Sequence, residues 1–374
     1  MLREGVSRIA RRYGHAYYVQ KSRSGEKATE LWDELAREGF LGVNLPEAHG
    51  GGGLGIGELA LVCEELAAAG CPLLLLVVSP AIVGTLVGRY GTDEQKERWL
   101  PGLASGTTRI CFALTEPDAG SNSHALRTSA RREGDRYVID GQKVYISGVD
   151  EADAMLVVTR TGEDARTGRG QLSLFVVDTK TEGIEAQPIP MEIVVPEKQF
   201  TVFFNGVSVG ADRLLGGEGR GLRVLFDGLN PERIISAAYS TGLARFALER
   251  AVTYANERKV WGQPIGAHQG LAHPLARAKL SLELARLMVA KAAWLYDAGK
   301  DAGEASNMAR LSAADAAIAA LDQAIQVHGG NGLATEYGLM TMWGMARLQH
   351  IAPVSREMIL NFIAQHSLGL PRSY

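Results

Sequence analysis

Phe112-Ala113-Leu114-Thr115-Glu116-Pro117-Asp118-Ala119-Gly120-Ser121, followed further along by Val144-Tyr145-Ile146-Ser147-Gly148, decides how this chain is read. The first segment turns a strand-like apolar run into a loop at Pro117 and Gly120. Such a loop exposes backbone N–H groups and the Thr115 and Ser121 hydroxyls to a planar ring or a phosphate. The second segment sets an aromatic face and a hydroxyl two residues apart. In an extended strand both leave on one face, so that Tyr145 stacks on a flat ring while Ser147 hydrogen-bonds its edge. Either segment alone also fits an ordinary turn or strand of a β-domain.

Outward from these segments the hydrophobic period changes twice. Before them, over residues 1–108, Leu31, Leu35 and Gly39 and then Leu59, Val62 and Leu66 recur at helical spacing, which predicts an all-α first domain. Over 109–221 the period drops to two. Asp140-Gly141 and Asn205-Gly206 read there as turn dipeptides among β-rich runs such as 154–159 and 172–177. Over 222–374 long amphipathic, alanine-rich stretches return at 272–298 and 308–327, which predicts a four-helix bundle. The fold class expected is therefore α+β in the order α, β, α. Gly50-Gly51-Gly52-Gly53-Leu54-Gly55 formally matches a dinucleotide fingerprint, but it follows Leu45-Pro46 in a helical context without a preceding strand, and it reads as a glycine-rich connection.

A chain of 374 residues exceeds what one core supports, so two or three packed domains are expected. With 39 basic and 42 acidic residues the net charge is −3, which excludes a global field for nucleic acid but leaves room for a local basic pocket. Cys63, Cys71 and Cys111 have neither disulfide-framework nor zinc spacing, and a reducing, cytoplasmic setting is expected. The apolar run 71–87 is interrupted by Pro72, Ser79, Pro80 and Gly84 and reads as buried helices rather than a membrane span. Arg3, Arg8, Arg11 and Arg12 faintly suggest a transit peptide, which would mean the mitochondrial matrix of a eukaryotic source. Val6, Ile9 and Tyr13 at helical spacing instead favour a first helix. Cys111, Met340 and Met342 read as core.

The two opening segments resemble the Thr-Glu-Pro and Trp-Ile-Thr signatures of the acyl-CoA dehydrogenase family. Two further family motifs follow: Arg258-Lys259-Val260-Trp261-Gly262-Gln263-Pro264-Ile265 with His268-Gln269, and Gln326-Val327-His328-Gly329-Gly330-Asn331-Gly332. Gly39-Phe40-Leu41-Gly42, Leu45-Pro46-Glu47 and Gly50 to Gly53 are similar to its N-terminal signature, so the resemblance covers nearly the whole chain. Phe112, Tyr145 and Ser147 stand where many members have Tyr, Trp and Thr.

The resemblance implies an N-terminal α-domain, a central β-barrel-like domain and a C-terminal four-helix bundle, with FAD between the last two. It implies an isoalloxazine held by Phe112, Leu114, Thr115, Ser121, Tyr145 and Ser147. It also implies that Arg258, Trp261, Gln269, Gln326 and Gly330 serve the FAD of a neighbouring subunit, so that a homotetramer, or a dimer at least, belongs to cofactor binding. The implied substrate is an acyl-CoA, with Ser121, Asn230 and Arg233 along its pantetheine arm, and the implied electron acceptor is an electron-transfer flavoprotein. Apart from the motifs, Arg258 reads as a solvated helix-end charge, and His268 and His328 as structural histidines.

Family members abstract the proton α to the thioester with a carboxylate and pass the β-hydrogen as hydride to the flavin. In many, that carboxylate sits in a loop where the unbroken spacing here puts Pro353, which is no base. A second subgroup, including isovaleryl-type and long-chain-type enzymes, carries a Glu immediately before an Arg on a C-terminal-domain helix. The Arg233 to Arg258 spacing matches that subgroup and makes Glu232 the candidate base. On composition alone, Asn230 as N-cap, Pro231 at N1 and an acid in the first turn would be an ordinary helix start. Pro353 also lacks the N–H that in the family helps polarise the thioester carbonyl, a loss of about 3 kcal/mol, so either Val354 or another group substitutes or the enzyme is slow. A same-fold flavin oxidase or monooxygenase, and an impaired partner subunit of a mixed tetramer, are the alternative readings.

Overall fold

The computed structural model describes residues 1–164 and 168–372. Five helices come first: α1 (Leu2–Ser24), α2 (Thr29–Arg37), α3 (Ile56–Ala68), α4 (Thr85–Tyr90) and α5 (Asp93–Ser105). A π-helical stretch, Val77–Gly84, leads into α4, so most of the apolar run is buried helix. Thr92 and Gln95 form a capping box that starts α5. The glycine-rich connection folds back on itself, because a Cβ at Gly51 would lie 2.2 Å from the Leu45 carbonyl oxygen.

Eight strands follow: β1 (Ile110–Ala113), β2 (Ser129–Glu133), β3 (Arg136–Ser147), β4 (Ala154–Glu163), β5 (Gly170–Asp178), β6 (Ile184–Ile189), β7 (Gln199–Gly210) and β8 (Leu214–Leu215). They pair in the order β6-β7-β3-β2-β4-β5-β8, with β1 parallel to β4, and the end strands β6 and β8 are not paired with each other. β4 is buried on both faces. Ala154, Leu156 and Val158 pack toward α5 and the end of the π-helical stretch, while Met155 and Val157 meet Phe175, Phe200 and Val202 on the other side. That two-sided burial is why β4 reads as a continuous apolar run.

Asp140-Gly141 and Asn205-Gly206 are not turns. Each lies within a long strand, β3 or β7, at a shift of register between Ile139 and Gly141. The two dipeptides meet across the ladder, where Gly206 N–H donates to Asp140 Oδ1 at 2.7 Å. Left-handed backbone at Gly206 (φ 64) serves a bulge here rather than a hairpin.

The remaining helices are α6 (Gly221–Glu257), α7 (Gln269–Asp297), α8 (Gly303–His328), α9 (Leu339–Leu348) and α10 (Arg356–Phe362). Ala309, Ala313, Ala316, Ala317, Ala320 and Ala324 of α8 are all buried, and these small side chains let α6 and α7 approach closely. Buried Glu64 and Glu65 of α3 bind the helical parts together: Arg3 of α1 and Arg286 of α7 each reach Glu64 at 2.8 Å, and Arg245 of α6 binds Glu65. Met342 and the three cysteines are buried, whereas Met340, expected in the core, is 44% exposed. Among the described residues no helix is long and apolar enough to cross a membrane, and no cluster of potential metal ligands occurs.

Candidate functional site

Between β1 and β2 the chain makes the expected turn, with Glu116 and Ala119 exchanging backbone hydrogen bonds at 3.2 Å and Pro117 just inside. Thr115 accepts from Val144 N–H at 2.9 Å, which lays the first motif against the second. A buried ion pair braces this junction. Lys143, with no exposed surface, donates to Leu114 O and to Glu116 Oε1, both at 2.9 Å, and the Glu116 carboxylate also accepts the N–H groups of Arg127 and Thr128. Burial alone would raise the Glu116 carboxyl, but the Lys143 charge and these donors hold it below its ordinary value.

Tyr145 does not obey the simple alternation expected of it. It sits at φ 59 where one extra residue of β3 is inserted between Lys143 and Ile146, so a bulge rather than the pleat aims its ring. The ring is 59% exposed. Ser147 is partly buried and donates its hydroxyl to Gln199 Oε1 at 3.0 Å, while Gln199 Nε2 donates in turn to Glu197 O. Glu197, a group the sequence did not single out, is pushed up to about 8 by burial and then by the charge of Glu151. Phe112 and Leu114 are partly buried against the apolar cluster between β4 and α5, and Ser121 lies exposed past the turn.

Glu232 is not at a helix start. α6 runs unbroken through Asn230 and Pro231, which rules out the capping reading of these residues. Proline inside a helix leaves the carbonyl four residues back without its donor. That carbonyl belongs to Asp227, and the Tyr296 hydroxyl of α7 donates to it at 3.1 Å. One residue beyond Pro231, Glu232 is partly buried, and its Oε2 is sealed from solvent without a hydrogen-bond partner. Burial pushes its pKa up to about 7, against the opposing charges of Arg233 and Arg310. Arg233 is buried and donates to Asn230 Oδ1 at 3.0 Å. Arg310 of α8, unforeseen from the sequence, is fully buried and donates to Ala352 O beside Pro353. Only the packing of α8 on α6 brings it there, and no sequence spacing announces it.

A second group gathers at the far end of α6. Arg258 ends the helix, and the short hairpin Lys259–Val260 with Gln263–Pro264 presents Trp261, 88% exposed at φ 52. Tyr254 joins this corner to the glycine-rich turn after α8, stacking on His328 at 4.2 Å and accepting from Asn331 at 3.0 Å. His328 is thus a structural histidine. Gln269, Gln326 and Gly330 are exposed on the same part of the molecule. No hydrogen bond or ring contact among the described residues joins this group to the one around Tyr145.

Tyr145 and Trp261 are the only non-glycine residues with positive φ among those described, and both are exposed aromatics at the centre of the two motifs. Backbone strain of this kind persists where function requires it. Each of the two groups thus leaves an aromatic face open to a flat ligand, and the polar atoms about Thr115 and Ser147 lie beside that of Tyr145. A separate cleft of about 490 Å³ opens between the Asn44–Pro46 loop, α4 and the end of α7. Glu232 does not line it, and its Asp297 carboxylate is occupied by the N–H groups of Ile56 and Gly57.

Comparisons with known proteins agree with the order of helices, strands and helices. The acyl-CoA dehydrogenase N-terminal domain matches residues 1–107, the middle domain residues 111–206 and the C-terminal domain residues 219–368. The chain is similar to the acyl-CoA dehydrogenase FadE12 of Mycobacterium tuberculosis, at 58% identity over 375 residues covering 100% of this chain and 96% of the relative. Among solved structures it is similar to glutaryl-coenzyme A dehydrogenase in its glutaryl-CoA complex, with TM-score 0.94 and 28% identity over 100% of this chain and 95% of that one. It is also similar to PigA with FAD and proline, with TM-score 0.92 and 26% identity over 99% and 97%. This chain belongs to the acyl-CoA dehydrogenase family and is an FAD-dependent oxidoreductase.

Proposed function

We propose that this chain dehydrogenates an acyl-CoA thioester between its α and β carbons, giving a trans-2-enoyl-CoA, with Glu232 as the base. The observation that carries the reading is the sealed, unpartnered Oε2 of Glu232 on a carboxyl raised to about 7, as a general base at neutral pH requires. Glu232 takes the α-proton, while Arg233 and Asn230, locked to each other, border the arriving pantetheine arm together with Ser121. FAD, when bound, accepts the β-hydride. Phe112, Leu114, Thr115, Ser121, Tyr145 and Ser147 would hold its ring, with the Tyr145 ring presented by the bulge. Arg258, Trp261, Gln269, Gln326 and Gly330 would hold the cofactor of a neighbouring copy, since no hydrogen bond or ring contact among the described residues joins them to the first group. A homotetramer, electron delivery to an electron-transfer flavoprotein, a place in fatty-acid β-oxidation in the cytoplasm and a division at 1–108, 109–221 and 222–374 belong to the same proposal.

Glu232→Gln is the test. The variant is expected to retain FAD yet almost lose anaerobic bleaching of the flavin band by acyl-CoAs, and undiminished bleaching would remove Glu232 from the mechanism. Some proteins of this fold act otherwise, such as the prolyl acyl carrier protein oxidase AnaB. Failure of straight, branched and ring-bearing acyl-CoAs to bleach the wild-type flavin would shift the reading to an oxygen-reactive flavoenzyme or a partner-dependent subunit.

A further inference from the structure

Removing a proton beside a thioester carbonyl moves negative charge onto the thioester oxygen, and a site that does this needs N–H or O–H donors aimed at that oxygen. The loop after α9 has proline at 353 and no N–H to give there. Arg310 stands against this loop. It leaves the first half of α8 fully buried, and its Nη2 is held by the carbonyl of Ala352, the residue before Pro353. Its Nε and Nη1 have no hydrogen-bond partner among the described residues. Hiding a guanidinium with unspent donors is unfavourable unless something accepts from them. The charges of Arg310 and Arg233 both act on Glu232, opposing the rise that burial imposes on its carboxyl.

On the dehydrogenation reading, we propose that Arg310 is a catalytic residue: one free N–H of its guanidinium donates to the thioester oxygen and holds it as charge develops, in place of the N–H that Pro353 lacks. The step balances within the site. The Cα–H bond breaks and its proton goes to Glu232, the electron pair spreads onto the oxygen held by Arg310, and as the β-hydrogen leaves as hydride to FAD that pair closes the Cα=Cβ bond. The Ala352 contact fixes Nη2, and Nε–H and Nη1–H leave the planar guanidinium on different sides, so a single one of them serves one acceptor.

The test uses the FAD-loaded full chain and a 3-thiaacyl-CoA of the chain length that bleaches the wild type. Sulfur at the β position leaves no β-hydride, so reaction stops at loss of the α-proton, and the resulting anion against the flavin gives a long-wavelength charge-transfer band. For Arg310→Met the pH midpoint of that band is expected to rise by about two units, matching the roughly 100-fold effect of one lost donor, with FAD content retained. Arg310→Lys, which keeps the charge as a single point donor, is expected between the two and decides the matter if the methionine variant does not fold. An unchanged midpoint in either folded variant overturns the proposal. So does an unchanged midpoint coupled with selective loss of binding of ω-carboxylated analogues, which would make Arg310 a recognition group for the acyl tail. A wild-type protein that gives no band with the analogue refutes the dehydrogenation reading itself, before any variant is made.

Discussion

Lys143→Met removes a fully buried ammonium while keeping most of its volume, and the consequence can be worked from its partners. Two hydrogen bonds disappear, to Leu114 O and to Glu116 Oε1, and the Glu116 carboxylate is left buried with only the backbone N–H groups of Arg127 and Thr128. Breaking a buried pair from one side costs about 3–5 kcal/mol, and the two surviving donors favour the lower end, about 3 kcal/mol. At roughly 2–4 °C per kcal/mol for a unit of 150–250 residues, Tm should fall by about 6–12 °C. Leu114 and Glu116 flank Thr115, so flavin release, followed by its fluorescence, should precede loss of the far-UV signal. Glu116→Gln added to Lys143→Met removes the unpaired charge but keeps an acceptor for only one of the two backbone donors, and should recover part of the loss. Because Glu116 is held below its ordinary value, the pair is fully charged above the unfolded carboxylate pKa of about 4.3 and loses its contribution as pH falls through the lower folded value, and burial, which lowers Lys143 to about 8, sets the upper limit of the window. The gap between wild type and variant should therefore narrow in acid. A Tm for Lys143→Met within about 1 °C of wild type at neutral pH would refute this account of the junction.

Three other outcomes follow. With Glu232 raised to about 7, flavin reduction at subsaturating acyl-CoA should rise about tenfold between roughly pH 6 and pH 8, and a flat profile in stopped-flow measurements would contradict its role as base. Tyr145→Gly relieves the left-handed backbone and should stabilise the apoprotein by about 1 kcal/mol while FAD binds more weakly; calorimetry of the apo form and flavin retention on gel filtration check both halves. Leu280, Leu284 and Leu287 form an exposed stripe on α7, with Leu287 at 68%, so Leu284→Glu should elute as a smaller species with its helical signal intact, and unchanged elution would locate the subunit interface elsewhere.

The order of helices, strands and helices was legible because hydrophobic period is a local property. The 3.6 spacing before residue 108 and after 222 and the unbroken apolar run of β4 each state how many faces are buried. What misled was punctuation. Asp140-Gly141 and Asn205-Gly206 carry the chemistry of a turn, but a bulge needs the same left-handed backbone, and only the pairing of β3 with β7 distinguishes the two. Asn230-Pro231-Glu232 likewise imitates a helix start, since the chain alone does not reveal that a hydroxyl from α7 serves the carbonyl that Pro231 strands. Arg310 was illegible for a related reason: its surroundings come from α6 and from the loop at Ala352, both remote in sequence.

The Tyr296 hydroxyl on Asp227 gives the base a bearing that α6 does not set by itself. A proline weakens a helix locally, and here the weak point lies one residue before the carboxylate proposed as the base. The clasp across it comes from the last turn of α7, whose Tyr296 also carries the Arg89 guanidinium 4.5 Å above its ring at the edge of the open cleft. Repacking that cleft is therefore expected to reach Glu232 through the segment of α6 around Pro231, so that Tyr296 and Arg89 are coupled to the proposed base by the helix that carries it.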